Sequence, residues 1–521
     1  MNDFKKVKRV LISVYDKTDL SSIARALHSI GAEILSTGGT ARHLKDEGIP
    51  VISVSDVTGF PEILGGRVKT LHPLIHGGIL AKRSESQQMQ ELQSHDIVPI
   101  DMVIVNLYPF EKVVSDPDVN MEKALENIDI GGPTMVRAAA KNHPDVAIVT
   151  DASQYPEIIN EIETHAGTSL RLRRKLALAA FQNTLRYDQA ISVFLSKRSE
   201  ESERFAQTIN IQLSKVQDLR YGENPHQAAA FYADASIAPA GAVAAQQLHG
   251  KELSFNNIMD MNAAINMVLE FDQPAVSIIK HSNPCGAAVN TDLAGAYEEA
   301  LKTDHVSAFG GIVAVNRQVE ADVAEKISKI FTEVVIAPRF SQQALDILTK
   351  KKNIRLIQWP VDKSLNIGYD IKAVDGGLLL QDHDRVMEDT SAYKVVSRRQ
   401  PTEKEWAAML FGWKLCKWVK SNAVIYVNER QTLGIGAGQM SRVDASRLAV
   451  RKASDAGLDL NGSVVISDAF FPFRDGVDAA ARAGAKAVIE PGGSIRDEEV
   501  IQAADEHDMA MVFTGFRHFR H

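Results

Sequence analysis

The feature that most constrains the fold is an alternation of short apolar runs with amphipathic segments, which begins at residue 7. Apolar runs rich in Val and Ile are typical of buried strands, whereas the segments between them have the spacing of apolar residues that favours helices. This alternation predicts an α/β fold in which helices cover both faces of a parallel sheet. The expected elements of this first part are strands at 7–14, 32–36, 50–55, 102–110 and 145–150, and helices at 19–31, 41–48, 131–142 and 168–196. In the first helix, Asp19 is the candidate N-cap and Gly31 the expected stop.

The chain is long enough for more than one domain, since it has 521 residues, of which 45% are hydrophobic. The polar segment 197–207 follows the last helix of the first series and carries few apolar residues. Such a segment is typical of a linker between domains. We therefore expect a boundary near residue 200, with one domain at 1–200 and another at 201–521.

The second part contains an internal sequence repeat. A strand beside Lys280–Asn283 is followed by a helix and a further strand, and the same succession follows Lys420–Asn422. An aromatic residue, Phe309 or Phe470, accompanies each copy at a comparable stage. The pattern predicts a duplicated α/β unit.

Composition excludes several classes of function. The net charge of −8 provides no basic field for nucleic acid. No run of 18 consecutive apolar residues is present, and the N-terminus lacks the apolar block of a signal peptide, so no membrane span is expected. The two cysteines, Cys285 and Cys416, allow neither a disulfide framework nor a multi-cysteine zinc site. We expect a cytoplasmic protein.

The segment Ser36–Thr40, with the sequence STGGT, lies between an expected strand and an expected helix. Its glycines can turn backbone N–H groups toward a phosphate at the positive end of the helix. A tight strand–helix turn explains the same residues equally well. The spacing matches neither a P-loop nor a dinucleotide-binding fingerprint, which gives little support to an NTPase or a dehydrogenase.

A second loop, residues 59–80, is dense in polar side chains among glycines and prolines. Loops of this composition commonly bind ligands, and we expect a polar ligand site here. Two histidines four residues apart, His72 and His76, suggest a metal pair on a helix. Pro73 lies between them and argues against a regular helix, so a zinc site is not expected.

Three further polar residues are expected at strand ends or loop–helix junctions of the first sheet, namely Tyr108, Asp129 and Lys141. Ligands bind at that edge of an open α/β sheet. Lys141 could equally be a solvated lysine at a helix end. In the second part, residues 219–227 and 513–521 are both rich in Arg, His and aromatic residues, and the apolar run before the C-terminal tail predicts that the tail docks into the fold.

An expected buried strand ends at Lys280 and His281, before an expected turn that carries Asn283–Gly286. The Pro284–Cys285 pair matches half of the P-C-x-x-C zinc signature of nucleobase deaminases. Since residues 285–288 read Cys-Gly-Ala-Ala, the second thiolate is absent and the zinc interpretation fails. The Lys–His pair suits acid/base chemistry, and a structural histidine bonded to a carbonyl explains it equally well.

Ten segments in one order resemble the family of bifunctional purine-biosynthesis enzymes that join a formyltransferase to inosine monophosphate (IMP) cyclohydrolase. The resemblance covers essentially the whole chain. The matching segments are SVYDKT, STGGTA, GGRVKTLHP, NLYPF, IDIGG, RAAAKNH, LRYGENPHQ, KHSNPCGAA, GIGAGQMSR and SDAFFPFRD. Any one of these segments is a weak signal, whereas ten in one order are highly specific.

The resemblance implies a methylglyoxal-synthase-like N-terminal domain and a C-terminal domain of two cytidine-deaminase-like units without zinc. It implies formyl transfer from 10-formyltetrahydrofolate to aminoimidazole-carboxamide ribotide (AICAR) in the C-terminal domain. The N-terminal domain would close the formylated product (FAICAR) to IMP with loss of water. The resemblance further implies a homodimer, a folate cosubstrate and no tightly bound cofactor.

The resemblance also implies roles for individual residues. For formyl transfer it implies His281 as the base and Lys280 as an acid or electrostatic catalyst. The implied ribotide and folate contacts are Arg220, Tyr221, Gly310, Glu333, Asn422, Arg442, Phe470, Asp475 and Arg517. For ring closure it implies Lys141 as the proton donor or acceptor, with Lys69, Tyr108 and Asp129 around it. The implied nucleotide contacts there are Lys17, Thr37, Gly38, Gly39, Thr40, Arg67, Thr70 and Asn106.

The chain departs from the family's commoner ending at His518 and Arg520, while Arg517 and Phe519 fit it. Two rival functions remain at this stage. The first is a zinc deaminase, which the Pro-Cys pair favours and the missing ligands oppose. The second is a non-enzymatic sensor of phosphorylated ligands, because the N-terminal fold type also serves in regulation.

Overall fold

A computed structural model describes residues 4–198, 204–234, 241–360, 369–384 and 390–521. The chain divides into two compact units, residues 1–211 and 212–521. The expected boundary near residue 200 adjoins residues 199–203, which lie outside the described ranges. The assignment of one activity to each domain stays a prediction. In the described part of the chain, no helix has the length and apolarity needed to cross a membrane.

The first unit is built on a parallel sheet. Its strands are β1 (Phe4–Lys6), β2 (Arg9–Ser13), β3 (Glu33–Ser36), β4 (Ile52–Ser53), β5 (Met102–Val105), β6 (Ala147–Val149) and β7 (Gly167–Ser169). Its helices are α1 (Leu20–Ser29), α2 (Gly38–Asp46), α3 (Val54–Thr58), α4 (Pro73–Leu80), α5 (Ser86–Ser94), α6 (Phe110–Val114), α7 (Met121–Glu126), α8 (Gly131–Lys141), α9 (Tyr155–His165) and α10 (Leu170–Lys197). The sheet order is β4-β3-β2-β5-β6, with every pair parallel, and β1 pairs separately with β7.

The central strands of this sheet are buried on both faces. Val10, Leu11 and Ile12 on β2 are fully buried, as are all four residues of β5. Such continuous apolar runs are expected where helices cover both sides of a parallel sheet. The predicted fold class is confirmed for this unit.

Details at element ends differ from the expectations. Asp19 occupies the N-cap position of α1 in a left-handed conformation (φ 53°), and its side chain makes no capping hydrogen bond. Gly31, with φ 79°, follows the end of α1 as expected, because glycine adopts this conformation without steric cost. The strand expected at 50–55 contains only Ile52–Ser53, since the chain turns into α3 at Val54.

The second unit begins with a two-stranded sheet and continues into two mixed sheets. Its strands are β8 (Leu213–Leu219), β9 (Ala229–Asp234), β10 (Gln246–His249), β11 (Ala275–Lys280), β12 (Asn283–Val289), β13 (Gly311–Val315), β14 (Thr332–Ala337), β15 (Arg355–Gln358), β16 (Tyr369–Val374), β17 (Gly377–Asp382), β18 (Lys394–Val395), β19 (Val424–Val427), β20 (Thr432–Gly436), β21 (Val464–Ser467), β22 (Ala487–Glu490) and β23 (Ala510–Phe513). Its helices are α11 (Gly241–Ala244), α12 (Phe255–Val268), α13 (Leu293–Thr303), α14 (His305–Ala308), α15 (Ala321–Ser328), α16 (Gln342–Leu348), α17 (Glu403–Cys416), α18 (Arg442–Asp455), α19 (Asp475–Arg482) and α20 (Asp497–Glu506).

The predicted duplication is confirmed by strand order. One sheet runs β10-β15-β14-β13-β11-β12 and the other runs β18-β23-β22-β21-β19-β20, so every strand has a counterpart. In both sheets the first long strand, β11 or β19, is antiparallel to both of its neighbours. The next two connections are parallel in each sheet. The sheets meet where β12 approaches β20, since Val289 N donates to Arg430 O at 2.8 Å.

The residues from which the duplication was inferred are not equivalent positions. Lys280 ends β11, whereas Lys420 precedes β19, the counterpart of β11. Phe309 precedes β13, whereas Phe470 follows β21, the counterpart of β13. Their similar spacing is therefore a coincidence of the sequence, although the edge-to-edge meeting of the two sheets brings both segments toward one region.

The prediction of a turn at Asn283–Gly286 is wrong. The turn consists of His281 and Ser282, with φ of 54° and 58°, and Asn283 already belongs to β12. This is the two-residue hairpin geometry in which both central residues have positive φ. Gly286 is required for packing, because a Cβ at this position would overlap the carbonyl oxygen of Ala300 on α13.

Candidate active sites

The first unit contains a cavity of about 630 Å³ at the C-terminal edge of its parallel sheet. The cavity lies between the ends of β2 and β5 and the N-termini of α2 and α8. This is the edge at which open α/β sheets bind ligands. The sequence-predicted residues that line it are Lys17, Thr37, Gly38, Gly39, Thr40, Arg67, Lys69, Thr70, Asn106, Tyr108 and Asp129.

Two helix N-termini point their backbone donors toward this cavity. Helix α2 begins at Gly38 after Thr37, and helix α8 begins at Gly131 after Ile130. At α2 the N-cap side chain makes no capping hydrogen bond and the first turn contains no acidic residue, whereas at α8 the Asp129 carboxylate accepts from Gly132 N. Free N–H groups at a helix N-terminus attract anions. This arrangement favours the phosphate-binding interpretation of the STGGT segment over a plain turn.

Cationic side chains surround the same space. Lys69 lies beside Gly38, because a Cβ on that glycine would be 3.4 Å from Nζ of Lys69. The Lys69 amine also pairs with Glu62 at 3.2 Å, and Arg67 forms an ion pair with Glu126. Both carboxylates are partly exposed, so these pairs stabilise the unliganded loop only weakly. An incoming phosphate can replace them.

Asp129 is the acid/base candidate within the cavity. Its Oδ1 accepts a hydrogen bond from Gly132 N at 2.8 Å, and its own backbone N donates to the hydroxyl of Tyr187 at 2.8 Å. Burial raises the pKa of the Asp129 carboxyl, while the amides of Gly132 and Tyr108 partly offset the increase. A raised pKa brings a carboxyl closer to the range in which it can transfer a proton at neutral pH.

Two of the expected nucleotide contacts hold the cavity wall instead of facing a ligand. The Thr40 hydroxyl accepts from Val14 N at 3.1 Å and donates to Val14 O at 2.9 Å. Asn106 Oδ1 accepts from Tyr15 N at 2.6 Å and from Asp16 N at 3.1 Å. These bonds fix the loop after β2 against α2 and β5.

Lys141 lies away from the other predicted ring-closure residues of its own chain. It is the last residue of α8, whereas Gly131 at the cavity is the first. Ten residues of helix separate them by about 15 Å. Lys141 is exposed and is not part of the cavity lining.

A regular helix forms despite Pro73, contrary to the expectation, with His76 on α4 and His72 as its N-cap. Pro73 is the first residue of α4, a position where its missing N–H has no consequence. His72 caps this helix by accepting from Leu74 N, and the pKa of His76 is lowered by burial. Among the described residues, no group of three or more His, Cys, Asp or Glu side chains is placed to hold a metal ion.

The second candidate site is the hairpin turn that carries His281. Asp260 on α12 accepts hydrogen bonds from His281 N at 3.1 Å and from Ser282 N at 2.7 Å. The neighbouring Lys280 donates from Nζ to the carbonyl of Phe309 at 2.8 Å, and His281 is exposed. The turn therefore presents the histidine to solvent while helix α12 holds its backbone.

Cys285, Gly310 and Glu333 also lie near the strands that carry this turn, and the structure defines their contacts. Burial raises the pKa of the Cys285 thiol to about 12, so this cysteine is neither a nucleophile nor a thiolate ligand at neutral pH. Gly310 N donates to Phe331 O at 2.8 Å, which places it next to the carbonyl that anchors Lys280. Glu333 on β14 pairs with Arg355 at 2.6 Å.

The second sheet contributes a cluster of ribotide candidates. Asn283, which follows the turn, accepts through Oδ1 from Lys420 N at 3.0 Å and so links the hairpin to the segment before β19. Arg442, the first residue of α18, donates to the carbonyl of Ala469 and pairs with Asp468 at 3.3 Å. Phe470 follows and is partly exposed.

The C-terminal tail docks into the same cluster, as predicted. His518 is buried, and its backbone N donates to Asp468 O at 2.9 Å. The guanidinium groups of Arg517 and Arg442 lie 4.7 Å and 5.8 Å from the ring centre of Phe519. Both arginines therefore contact the same ring, and we call Arg442 and Arg517 the two-arginine cluster. Guanidinium groups of this kind suit a phosphate.

Three expected contacts are not joined to this cluster. Arg220 stacks on its own neighbour Tyr221, with Cζ 5.2 Å from the ring centre, in the loop after β8. Within the described ranges, no hydrogen bond or ring contact connects either residue to Lys280 or His281. Asp475 is an exposed first residue of α19.

Sequence reasoning missed the residues that hold the site together. Asp260 lies on α12 outside every quoted motif, and no local signal indicates its role. Asp468 belongs to the SDAFFPFRD segment, in which the resemblance implies roles only for Phe470 and Asp475. Its complete burial is a property of the fold that the sequence does not display.

Comparison with known proteins decides the family. Residues 139–452 match the family described as "AICARFT/IMPCHase bienzyme", and this match spans more than half of the chain. The chain belongs to this family. It is a bifunctional enzyme of purine biosynthesis with AICAR formyltransferase and IMP cyclohydrolase activities, which excludes the deaminase and sensor alternatives.

Residues 19–134 match the family described as "MGS-like domain", which agrees with the parallel sheet of the first unit. A solved structure titled "Crystal structure of ForH" is similar at 34% identity. The likeness covers 36% of this chain and 96% of that chain, with a TM-score of 0.33.

Proposed function

We propose that ring closure takes place in the cavity of the first unit and formyl transfer at the His281 turn of the second unit. The observation that carries this proposal is the placement of acid/base groups beside anion-binding groups in each unit. In one unit, Lys69 lies beside the uncapped N-terminus of α2, and Asp129 lies at the N-terminus of α8, where it accepts from Gly132 N. In the other unit, Lys280 ends β11 and His281 begins the turn that Asp260 fixes. Asn283 links this hairpin to the segment before β19, and Arg442 and Arg517 are the anion-binding groups.

In formyl transfer, the 5-amino nitrogen of AICAR forms a bond to the formyl carbon of 10-formyltetrahydrofolate, and the bond from that carbon to folate N10 breaks. His281 accepts the proton that the amine loses, and the departing N10 takes up a proton. Lys280 stabilises the oxyanion that forms during attack or supplies the proton to N10. Arg442, Arg517 and Phe470 hold the ribotide.

In ring closure, the carboxamide nitrogen of FAICAR attacks the formyl carbon and the resulting hydroxyl leaves as water. The carboxamide nitrogen loses one proton, the formamido nitrogen loses another, and the formyl oxygen takes up both before it leaves as water. A proton donor and a proton acceptor are therefore both required. Asp129, Tyr108 and Lys69 line the cavity in which this exchange occurs. Lys17, Thr37–Gly39, Arg67 and Thr70 surround the nucleotide, and its phosphate occupies the N-terminus of α2.

The active form is a homodimer in this proposal. Lys141 and the Arg220–Tyr221 pair lie outside the sites of their own chain, and a second copy can supply them. A mixture of Lys141→Ala and Lys69→Ala chains tests this for ring closure, because half of the mixed dimers' sites regain both lysines. We expect about a quarter of the wild-type activity from inactive parents. No recovery on mixing would place Lys141 in its own chain's site.

Neither reaction requires a tightly bound cofactor, since 10-formyltetrahydrofolate enters and leaves as a cosubstrate. We place the enzyme in the cytoplasm. This location is supported by the two buried free thiols, which form no disulfide in the described structure and suit a reducing compartment.

The formyl donor is tested by incubating the purified protein with AICAR and 10-formyltetrahydrofolate. We expect tetrahydrofolate, measured by its ultraviolet absorbance, to form in step with IMP. Formyl phosphate without folate should give no product. IMP formed equally well from formyl phosphate would refute the proposed donor.

A further inference from the structure

Asp468 connects the residues of the second site more extensively than any local motif suggests. Its side chain is completely buried and follows directly after β21. Oδ2 accepts from the hydroxyl of Ser421 at 2.5 Å and from Ala423 N at 3.1 Å, while Oδ1 pairs with Arg442 at 3.3 Å. Its backbone oxygen receives the N–H of His518.

Each of these partners is adjacent to, or is itself, a proposed ribotide contact. Ser421 and Ala423 flank Asn422, and His518 follows Arg517. Phe470 lies two residues beyond Asp468 itself. One buried carboxylate therefore lies at the junction of four chain segments that the sequence keeps far apart.

The internal duplication provides a built-in comparison for this position. Asn316 follows β13 as Asp468 follows β21, and the two strands are counterparts. Asn316 Oδ1 accepts from Ala275 N at 2.9 Å, as Asp468 Oδ2 accepts from Ala423 N. The backbone N of each residue returns a bond to the same alanine's carbonyl. Both side chains thus tie the strand to the start of its neighbour.

The counterparts differ in charge and in their remaining bonds. The Asn316 amide nitrogen donates to the carbonyls of Phe271 and Gln273, which only closes the end of α12 onto the sheet. Asp468 instead faces a guanidinium that is 14% exposed. In one half, a neutral amide is enough to accept the alanine N–H and tie the two strands together. The negative charge of Asp468 is therefore not needed for this bond, and we look for its role in the ion pair with Arg442.

We propose that Asp468 is a positioning residue for formyl transfer, whose negative charge orients Arg442 toward the ribotide. The proposal rests on the proposed function, because it takes Arg442 as a ribotide contact. A buried ion pair fixes the arginine before the ligand arrives and thereby lowers the cost of ordering it on binding. The charge contributes to ribotide affinity, whereas the amide-like bond to Ala423 contributes to folding.

The test is Asp468→Asn in the full-length protein, which keeps the shape and the acceptor for Ala423 N and removes the charge. We expect KM for AICAR to rise by about 10- to 100-fold, the effect of a lost charged hydrogen bond, with a smaller change in kcat. Asp468→Glu restores the charge and should recover part of the affinity. Ring closure of supplied FAICAR should stay at the wild-type rate, and an unchanged thermal transition of the second unit shows that this unit has folded.

Asp478→Asn is the matched control, because Asp478 also pairs with an arginine, Arg474, on α19. It should leave KM for AICAR unchanged. A wild-type KM in Asp468→Asn, or a loss of kcat alone, would overturn the positioning role. Arg442→Ala separates the two claims. If Arg442→Ala leaves AICAR binding unchanged, Arg442 is not a ribotide contact. If Arg442→Ala weakens AICAR binding while Asp468→Asn binds normally, only the role of Asp468 is rejected.

Discussion

Replacing Asp260 with alanine tests how the second site is held. The substitution removes the acceptor of two backbone N–H groups in the His281–Ser282 turn, at 3.1 Å and 2.7 Å. Hydrogen bonds to a charged group contribute about 1.5–3 kcal/mol each, and the lower value applies because the turn is partly exposed. Two such bonds give about 3 kcal/mol, which corresponds to about 100-fold in the population of the correct turn. Both turn residues have positive φ, which side chains rarely adopt without support.

We therefore expect Asp260→Ala to lower kcat/KM of formyl transfer by up to about 100-fold. Asp260→Asn, which keeps one acceptor, should have a smaller effect. The assay follows tetrahydrofolate release, with ring closure of supplied FAICAR as an internal check. Asp292→Ala is the control, because Asp292 accepts from Gly295 N at the start of α13 and does not contact the turn. Wild-type formyl transfer in folded Asp260→Ala would show that the turn forms without its carboxylate and would refute the reasoning.

Three further substitutions or truncations have definite expected outcomes. Deleting residues 516–521 should abolish formyl transfer and spare ring closure in separate assays, since Arg517 and Phe519 complete the two-arginine cluster; full activity would make the tail a mere surface segment. Gly286→Ala should lower the unfolding temperature of the second unit, measured by calorimetry, because the added Cβ overlaps Ala300 O, and an unchanged transition would contradict the packing argument. Burial raises the pKa of Glu490 to about 8, so its contribution to stability is complete below the unfolded value near 4.5 and is lost as the pH rises through about 8. Glu490→Gln should accordingly gain stability relative to the wild type between pH 5 and 8, and a pH-independent difference would place the carboxyl in solvent.

The sequence predicted the parallel sheet because its strands are buried on both faces and therefore apolar throughout. It predicted the tail's docking for the same reason, since the run before it forms β23. Residues 283–286 misled the prediction, because Asn, Pro and Gly are turn formers in isolation. Here Pro284 and Gly286 flank a shift in the β11–β12 register. The absence of a side chain at Gly286 allows α13 to pack closely against β12.

Much of each site depends on contacts between distant segments, which local patterns do not report. The sequence predicts that Pro73 interrupts a helix, although the first position of a helix accepts proline. The sequence predicts Asp129 and Lys141 at strand ends or loop–helix junctions of one sheet, whereas the length of α8 separates Lys141 from the cavity. Asp468 gains its role from four segments that come together only in the folded chain.

The central claim is that the chain contains two catalytic centres that share no residues. The most direct measurement assays both reactions separately in His281→Ala and in Asp129→Asn, with folding checked by circular dichroism. Removing one positioned acid/base group should lower the corresponding reaction by about 10²- to 10⁴-fold. His281→Ala should lose formyl transfer and keep ring closure of supplied FAICAR, and Asp129→Asn should do the reverse, so that FAICAR accumulates from AICAR. The loss of both activities in either folded variant would contradict the division between the two units.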